Sequence, residues 1–166
     1  MPTLTTRDRP SPNDLRILAL LQRDGRASYE RIGAAAGMSG PSAHERVKRL
    51  EAKGIIRGFA AFVDAGAVGL GVLAFSRIRQ EPGTPTTDLT TDFATIPEIE
   101  ECHHVAGEAD YLLKIRAADT RDLARVMRRV QAIPHVYSSE TEIVFSTAFE
   151  RRPLPLERET DGEAGA

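Results

Sequence analysis

The sequence has little of what a secreted or membrane protein needs. It contains no tryptophan, 5% aromatic residues and one cysteine, Cys102, so an intrachain disulfide is impossible and a reducing compartment is favoured. No apolar run approaches the roughly 20 residues that span a bilayer, and the first dozen residues lack the apolar core of a secretory signal. We therefore expect a cytoplasmic protein without membrane contact.

Charge is unevenly distributed along a chain of otherwise ordinary globular composition. The 166 residues are 41% hydrophobic, enough for one domain or two small ones. Residues 1–62 hold 11 Lys and Arg against 6 Asp and Glu, a net +5, whereas residues 63–166 hold 11 against 18, a net −7. A basic front half indicates a phosphate-binding domain, with a chance fluctuation as the alternative.

The basic part contains the most informative segment, residues 28–56. Its pattern predicts two short helices joined by a tight Gly37-Met38-Ser39 turn, the layout of a helix-turn-helix. Ser28 and Ser39 can cap the two helices, and Gly37 suits a left-handed helix end. Pro41 falls in the first turn of the second helix, where the missing N–H costs little.

The second of these helices has two distinct faces. Ala43, Val47 and Leu50 recur at i, i+4 and i+7 and are predicted to pack inward. The residues that point away from this stripe are Pro41, His44, Glu45, Lys48 and Arg49. Such a face suits a major groove, with early residues near base edges and later cations near phosphates. An ordinary amphipathic helix with a solvated face is the alternative interpretation.

Further elements are predicted on both sides of this motif. Residues 1–11 are predicted to be a disordered arm, and residues 13–22 a helix capped by Asn13. Residues 55–63 are strand-like, and a glycine-rich connector follows, which places a domain boundary near residues 60–70. Residues 151–166, with two prolines and mixed charges, are predicted to be a disordered tail.

The second half predicts the order β-α-β-β-α-β, a ferredoxin-like arrangement. The predicted strands are 72–79, 99–106, 110–116 and 136–145, and the predicted helices are 86–95 and 120–132. Such an antiparallel sheet carries helices on one face and needs a cover on the other. Pairing of two sheets would provide it, so we expect a homodimer.

These features together resemble the Lrp/AsnC family of leucine- and asparagine-responsive regulators. The resemblance rests on DLRILALLQRDGR, on ERIGAAAGMSGPSAHERVKRLEAKGII and on ECHHVAGEADYLLKI, in that order. It implies an α+β protein with a winged-type helix-turn-helix domain at 12–60, a linker at 61–71 and a ferredoxin-like effector-binding and oligomerisation domain at 72–150. It also implies a transcriptional regulator that binds double-stranded DNA, forms dimers or higher assemblies of dimers, and takes an amino acid or related small-molecule effector between subunits.

The resemblance places the recognition helix on residues 39–52. The implied DNA-binding residues are Ser28, Tyr29, Ser39, Gly40, Pro41, Ser42, His44, Glu45, Lys48 and Arg49. Among these, Lys48 and Arg49 are the expected phosphate anchors. Arg46 lies at the edge of the packed stripe, so an ion pair within the head and a phosphate contact remain open alternatives.

The effector site implied by the resemblance lies around a glycine turn. The candidate residues are Ala106, Gly107, Glu108 and Asp110, with Glu140 and Thr141 on the last strand. A carboxylate can bind the effector ammonium, and backbone N–H groups can bind its carboxylate. The alternative is that Gly107 only makes a hairpin turn and that Asp110 stabilises it.

The adjacent histidines His103 and His104 are the remaining candidate ligands. Neighbouring residues of a strand point to opposite faces, so the pair cannot easily chelate one metal. Cys102 and His104 share a face, but no further ligand is evident nearby. We predict core or interface histidines, with no metal, no cofactor and no catalytic residues.

Two other function classes compete with a regulator. One is an enzyme similar to tetrapyrrole decarboxylases, which resemble this family in architecture; the absence of tryptophan and the basic outward helix face argue against it. The other is a ligand-sensing module that no longer binds DNA, which predicts no salt-sensitive binding to duplex DNA.

Overall fold

The computed structural model describes residues 9–83 and 88–156. The chain divides into two compact units, one formed by Met1–Ala61 with Phe149–Ala166 and the other by Phe62–Ala148. Most of the predicted arm and tail, at 1–8 and 157–166, lie outside the described residues, as does 84–87. Within the described residues, no helix is long and apolar enough to cross a membrane.

The first unit, called the head below, is built on three helices. These are α1 (Pro12–Arg23), α2 (Tyr29–Ala36) and α3 (Gly40–Ala52). Their shared core consists of Ile17, Ile32, Ala36, Ala43, Val47 and Leu50. The inward stripe predicted for α3 is therefore confirmed.

Helix ends follow the local sequence. Ser28 and Ser39 cap α2 and α3 as predicted, and Gly37 ends α2 in the left-handed region at φ 68°. The cap predicted for α1 was wrong, since Ser11 and not Asn13 occupies that position. Ser11 Oγ accepts from the Asp14 N–H at 3.2 Å and the Asp14 carboxylate accepts from the Ser11 N–H at 2.9 Å, a reciprocal capping box.

The strand predicted over residues 55–63 was wrong. The N–H groups of Ile55 and Ile56 both donate to the carbonyl of Leu50, which closes the end of α3. The following residues find no strand partner among the described residues, and Phe62 and Val63 are exposed. The described head therefore has a helix-turn-helix without the strand of a wing.

The end of the described chain contacts α1 in the same unit. The Gln22 side chain accepts from the Leu154 N–H at 2.6 Å and donates to the Leu154 carbonyl at 3.3 Å. Residues 152–156 therefore border α1, although they fall in the segment predicted to be a tail.

The second unit, called the sheet unit below, has the predicted βαββαβ order. Its elements are β1 (Val72–Gln80), α4 (Thr90–Phe93), β2 (Ile99–His104), β3 (Tyr111–Ala117), α5 (Thr120–Gln131) and β4 (Val136–Ile143). The strands form one antiparallel sheet in the order β2-β3-β1-β4. The helix predicted at 86–95 begins outside the described residues, and in the described chain only α4 is helical within this range, since the helix ends before Ala94.

The two faces of this sheet differ in chemistry. The face under α5 is apolar, with Ile78, Leu113 and Ile115 fully buried in one core. The opposite face, called the open face below, carries Phe75 and Leu112 on the two inner strands. Around them lie the ion-paired side chains of Arg77, Lys114, Arg116, Glu100, Glu101 and Glu142.

Candidate nucleic-acid interface

The start of α3 is fixed by its cap. Ser39 Oγ accepts from the Ser42 N–H at 3.3 Å and lies 2.9 Å from Ser42 Oγ. Pro41 follows in the first turn, and Pro41, Ser42 and Glu45 are exposed. Pro41 and Ser42 therefore stand at the exposed N-terminal end of α3, where the helix dipole favours an anion, and Glu45 follows one turn later on the same side.

A shallow groove runs along this end of the helix. It has a volume of about 480 Å³ and is lined by Met38, Pro41, Ser42, Glu45, Arg46 and Arg49. Met38 is half-buried and packs against the head core. The groove and the predicted base-reading residues thus share one side of the head.

The glycines Gly33 of α2 and Gly40 of α3 differ in how much room surrounds them. A Cβ at Gly33 would lie 2.5 Å from the Met38 carbonyl oxygen, so no side chain fits there. Sequence reasoning missed Gly33, although a glycine inside a helix pattern is itself a signal of close packing. At Gly40 a Cβ would meet its nearest neighbours, atoms of Glu30, only at 3.5 Å.

Tyr29 and His44 bring the first residue of α2 against the exposed side of α3. Their ring centroids are 4.5 Å apart and the ring planes meet at 62°, an edge-to-face contact. The His44 Nδ1 also lies 3.8 Å from Glu45 Oε1. The structure therefore brings together three residues that were predicted separately as DNA contacts.

Arg46 forms an ion pair within the head. Its Nη1 lies 3.3 Å from Oδ1 of Asp14, a buried carboxylate of α1. Burial raises the pKa of Asp14, but the hydrogen bonds from Ser11 and the charge of Arg46 outweigh burial, and the pKa lies below its ordinary value. The ion pair, one of the two alternatives left open for Arg46, is the arrangement observed.

Lys48 and Arg49 differ from Arg46 in having no ion pair with any described residue. Both side chains are exposed on the outward face of α3. An exposed cation outside an ion pair is available to neutralise a phosphate and release its counterions, although the charge of Arg49 also helps to lower the pKa of Asp14. Lys48 and Arg49 are therefore the candidate phosphate-binding positions of this helix.

The predicted effector turn connects β2 to β3. The Val105 N–H donates to the Asp110 carbonyl at 2.9 Å, and Gly107 has a φ of 144°, which favours glycine. Asp110 Oδ2 accepts from the Gln80 N–H at 2.7 Å, so this carboxylate holds the turn to the end of β1. Glu108 is 95% exposed, with its Oε2 3.5 Å from Arg79.

The other effector candidates lie apart from each other. Thr141 Oγ1 is 3.0 Å from Ser76 Oγ, a fully buried residue, so it faces the helix-covered side of the sheet. Glu140 is the next residue of β4, opposite Arg77, and faces the open side. Ala106 is exposed beside Gly107. The structure thus groups Ala106 with Gly107 and Glu108.

The two adjacent histidines have separate partners. His103 Nε2 lies 3.1 Å from Glu101 Oε2, whereas the His104 ring stacks on Tyr111 with centroids 5.1 Å apart. Burial, followed by the charge of Asp88, raises the pKa of the Cys102 thiol, which disfavours the thiolate that binds metals. No group of three metal-ligating side chains occurs within 9–83 and 88–156.

Two family models match the chain. One, described as the AsnC-type helix-turn-helix domain, matches residues 13–51 and therefore covers α1, α2 and most of α3. The other, described as the Lrp/AsnC ligand binding domain, matches residues 73–154 and covers the sheet unit.

Similar proteins include regulators of known structure. The HTH-type transcriptional regulator FL11 of Pyrococcus horikoshii is 32% identical over 143 residues, which are 86% of this chain and 94% of that protein. A feast or famine regulatory protein of M. tuberculosis, complexed with L-methionine, has a TM-score of 0.82 at 30% identity, covering 87% of this chain and 97% of that one. A transcriptional regulator of Neisseria meningitidis in complex with L-Met has a TM-score of 0.77 at 28% identity, covering 88% and 96%.

Proposed function

The chain belongs to the Lrp/AsnC family of DNA-binding transcriptional regulators, and we propose that it reads its operator with the exposed face of α3. The observation that carries this assignment is the division of cations on that helix. Arg46 is ion-paired inward, while Lys48 and Arg49 are exposed without an ion pair within the described chain. Phosphate contacts from these two cations would set the register of the helix on the duplex.

Base reading is assigned to the beginning of the same helix. Pro41, Ser42 and Glu45 are exposed there, and His44 is half-exposed beside them. Early residues of a recognition helix meet base edges in the major groove, whereas the first helix of the motif crosses the backbone. Ser28 at the cap of α2 is proposed as a backbone contact, because N–H groups at a helix N-terminus bind phosphate oxygens.

The test is DNA binding as a function of salt. Full-length protein is titrated with its own upstream intergenic DNA and with a scrambled duplex. We expect tighter binding to the upstream fragment with a steep salt slope. Equal, weak binding to both duplexes would show that the upstream fragment contains no operator. Lys48→Ala should weaken binding to both duplexes and lower the salt slope by about 1.

Arg121→Ala is the matched control for that experiment. Arg121 is an exposed cation of α5 in the sheet unit, so its loss makes the same change in net charge. We expect its salt slope to equal that of the unmodified protein. An unchanged slope in Lys48→Ala would remove Lys48 from the phosphate-binding set, and no salt-sensitive binding at all would favour the ligand-sensing alternative.

We further propose a homodimer formed through the open face of the sheet unit. Phe75 and Leu112 lie at its centre on the inner strands, within a ring of paired charges that can also pair across an interface. A dimer carries two heads, which would address half-sites about 34 Å apart, one turn of the duplex. Higher assemblies of dimers would then wrap longer DNA.

The proposed effector is an amino acid bound at the turn between β2 and β3. Two structural relatives are complexed with L-methionine, and the turn offers an exposed carboxylate, Glu108, next to the N–H groups around Gly107. Glu108 would bind the ammonium group, and the backbone N–H groups would bind the carboxylate. Asp110 would support the turn, because its carboxylate already accepts from Gln80.

Isothermal titration with single amino acids tests the effector site. Glu108→Gln should weaken binding of the effector at least tenfold while leaving effector-free DNA binding unchanged, because the head is untouched. Asp92→Asn, which neutralises an exposed carboxylate of α4, is the control and should bind normally. Equal affinity in Glu108→Gln and the unmodified protein would place the ammonium site elsewhere.

Catalysis forms no part of the proposal. The relatives are transcriptional regulators, and no described observation favours the decarboxylase alternative. The purified protein should show no visible absorbance from a bound tetrapyrrole, before or after incubation with one.

A further inference from the structure

We propose that Tyr29 is a positioning residue that holds the His44 ring in one orientation toward a purine edge in the major groove, so that His44 reads one base pair. The proposal rests on the proposed function of α3. The orientation of the His44 side chain would be set by its contact with the Tyr29 ring.

The geometry of the pair restricts His44. The two ring centroids are 4.5 Å apart at an interplanar angle of 62°, within the range of favourable edge-to-face contacts. The His44 side chain is 38% exposed and the Tyr29 residue 41% exposed, so neither is packed into the core. A half-exposed imidazole without such a contact would sample several rotamers, and each rotamer would present a different edge to DNA.

Gly40 provides the room for this contact. Gly40 and His44 are at i and i+4 and therefore lie on the same side of α3. A long side chain of a helix points toward the helix N-terminus, so the His44 ring leans over position 40. A Cβ at Gly40 would lie 3.6 Å from the Tyr29 carbonyl carbon, which places the start of α2 directly against this position. A large residue at 40 would separate the two rings.

The backbone at Tyr29 is held in place by the head. It is the first residue of α2, directly after the cap residue Ser28, whose hydroxyl accepts from the Arg31 N–H at 3.4 Å. The close approach at Gly33 sets α2 against the turn. The ring of Tyr29 therefore projects from a backbone that the head holds in place, as a positioning residue requires.

The free edge of His44 defines the partner. Its Nδ1 faces Glu45 Oε1 at 3.8 Å, and its Nε2 has no hydrogen-bond partner in the described part of the chain. Guanine presents N7 and O6 in the major groove, and adenine presents N7 and the N6 amino group. An imidazole held in one orientation can make one hydrogen bond to such a purine edge, as donor or as acceptor.

Selection of binding sites from a randomised duplex library tests the pair. The full-length protein, Tyr29→Ala, Tyr29→Phe, His44→Ala and the double variant are compared, with thermal unfolding as a check on folding. We expect His44→Ala and Tyr29→Ala to lose the same purine preference, about five- to tenfold, at the same operator position. The double variant should lose no more than either single one, and Tyr29→Phe should retain the preference because it keeps the ring.

Other outcomes separate the alternatives. If Tyr29→Phe loses affinity for all sequences equally, the Tyr29 hydroxyl binds phosphate directly and the positioning role is overturned. If Tyr29→Ala changes a different operator position from His44→Ala, the two rings act independently and the inference is also overturned. Selection of no consensus by the unmodified protein would instead contradict the proposed function. Tyr29→Leu, which keeps apolar bulk, replaces Tyr29→Ala if that variant does not fold.

Discussion

At the scale of single residues, neighbouring cations of α3 differ in whether they form an ion pair, and this indicates different roles. Arg46 pairs with the buried Asp14 and its charge serves the packing of α1 on α3. Lys48 and Arg49, two and three positions later, are exposed and lack an ion pair among residues 9–83 and 88–156. Losing a phosphate anchor weakens binding to every sequence, whereas losing a buried pair weakens the fold before it affects DNA.

Gly33→Ala should destabilise the head at this scale. The added Cβ would lie 2.5 Å from the Met38 carbonyl oxygen, and the backbone of the turn must move to relieve the contact. Overpacking of this kind costs about 1–3 kcal/mol, more than alanine gains over glycine in helix propensity. The unfolding free energy, measured with urea and helical circular dichroism, should fall accordingly.

Gly40→Ala is the matched control for Gly33→Ala. Its Cβ would meet nothing nearer than 3.5 Å, so the unfolding free energy should stay unchanged or rise by up to about 1 kcal/mol. If both substitutions destabilise equally, the close approach at Gly33 does not limit the packing of α2 against the turn.

Residue patterns predicted some roles at this scale and missed others. Ser28, Ser39 and Gly37 were found because capping depends on residues within one helix turn. The ion pair of Asp14 was missed, because its partner Arg46 lies 32 positions away, and no local pattern reports such a pair. The cap of α1 was predicted at Asn13 because the local capping-box pattern, Ser11 with Asp14 three positions later, was overlooked.

At the scale of elements, helices were predicted more accurately than isolated strands. The periodic helices α3 and α5 lie within one residue of their predicted ends, and Leu123, Met127 and Val130 are buried on one face of α5. The apolar run at 55–63 did not form a strand, because a strand needs a partner that the run itself cannot specify. A hydrophobic run predicts that its residues are buried or that they pair with another strand. Which of the two occurs depends on the segment that the run contacts.

Asp14→Asn should weaken the contact between α1 and α3 in a pH-dependent way. The pKa of Asp14 is lower in the folded chain than its ordinary value of 3.8. This carboxylate therefore stabilises the head above the unfolded pKa, and its contribution is lost as pH falls through the folded pKa. The substitution keeps an oxygen that can accept from the Ser11 N–H but removes the charge that pairs with Arg46, a loss of about 1–2 kcal/mol at pH 7.

Urea unfolding at several pH values measures this difference. The gap between the unmodified protein and Asp14→Asn should begin to shrink below about pH 4, where Asp14 becomes protonated in the unfolded chain, and should close once the pH falls below the folded pKa. Asp92→Asn, at an exposed position of α4, should show no comparable gap at pH 7. A gap that stays constant from pH 7 to pH 3 would mean that the charge of Asp14 contributes nothing to the head.

At the scale of the whole molecule, the head and the sheet unit have separate cores, and each has its own exposed surface that is proposed to bind a partner. The head core and the core under α5 share no residue, so each unit was predictable from its own periodicity. The βαββαβ order also predicted that one sheet face would need a cover. The sequence did not show that this face would be rich in ion pairs around Phe75 and Leu112, since cross-strand neighbours depend on register.

Leu112→Glu tests whether this face joins two copies of the chain. Leu112 lies on β3, an inner strand, opposite Arg77 of β1, and is half-buried in the isolated chain. A glutamate there can pair with Arg77 of its own sheet, but burying this charged pair between two sheets costs desolvation and removes the apolar contact of Leu112, so the dimer should weaken on the order of 30-fold or more. Ala124→Glu makes the same charge change at an exposed position of α5 and should leave assembly intact. Sedimentation equilibrium over a range of protein concentrations measures both variants. Unchanged association in Leu112→Glu, or equal disruption by Ala124→Glu, would show that the open face does not carry the dimer, and the two heads would then have to be paired through another surface.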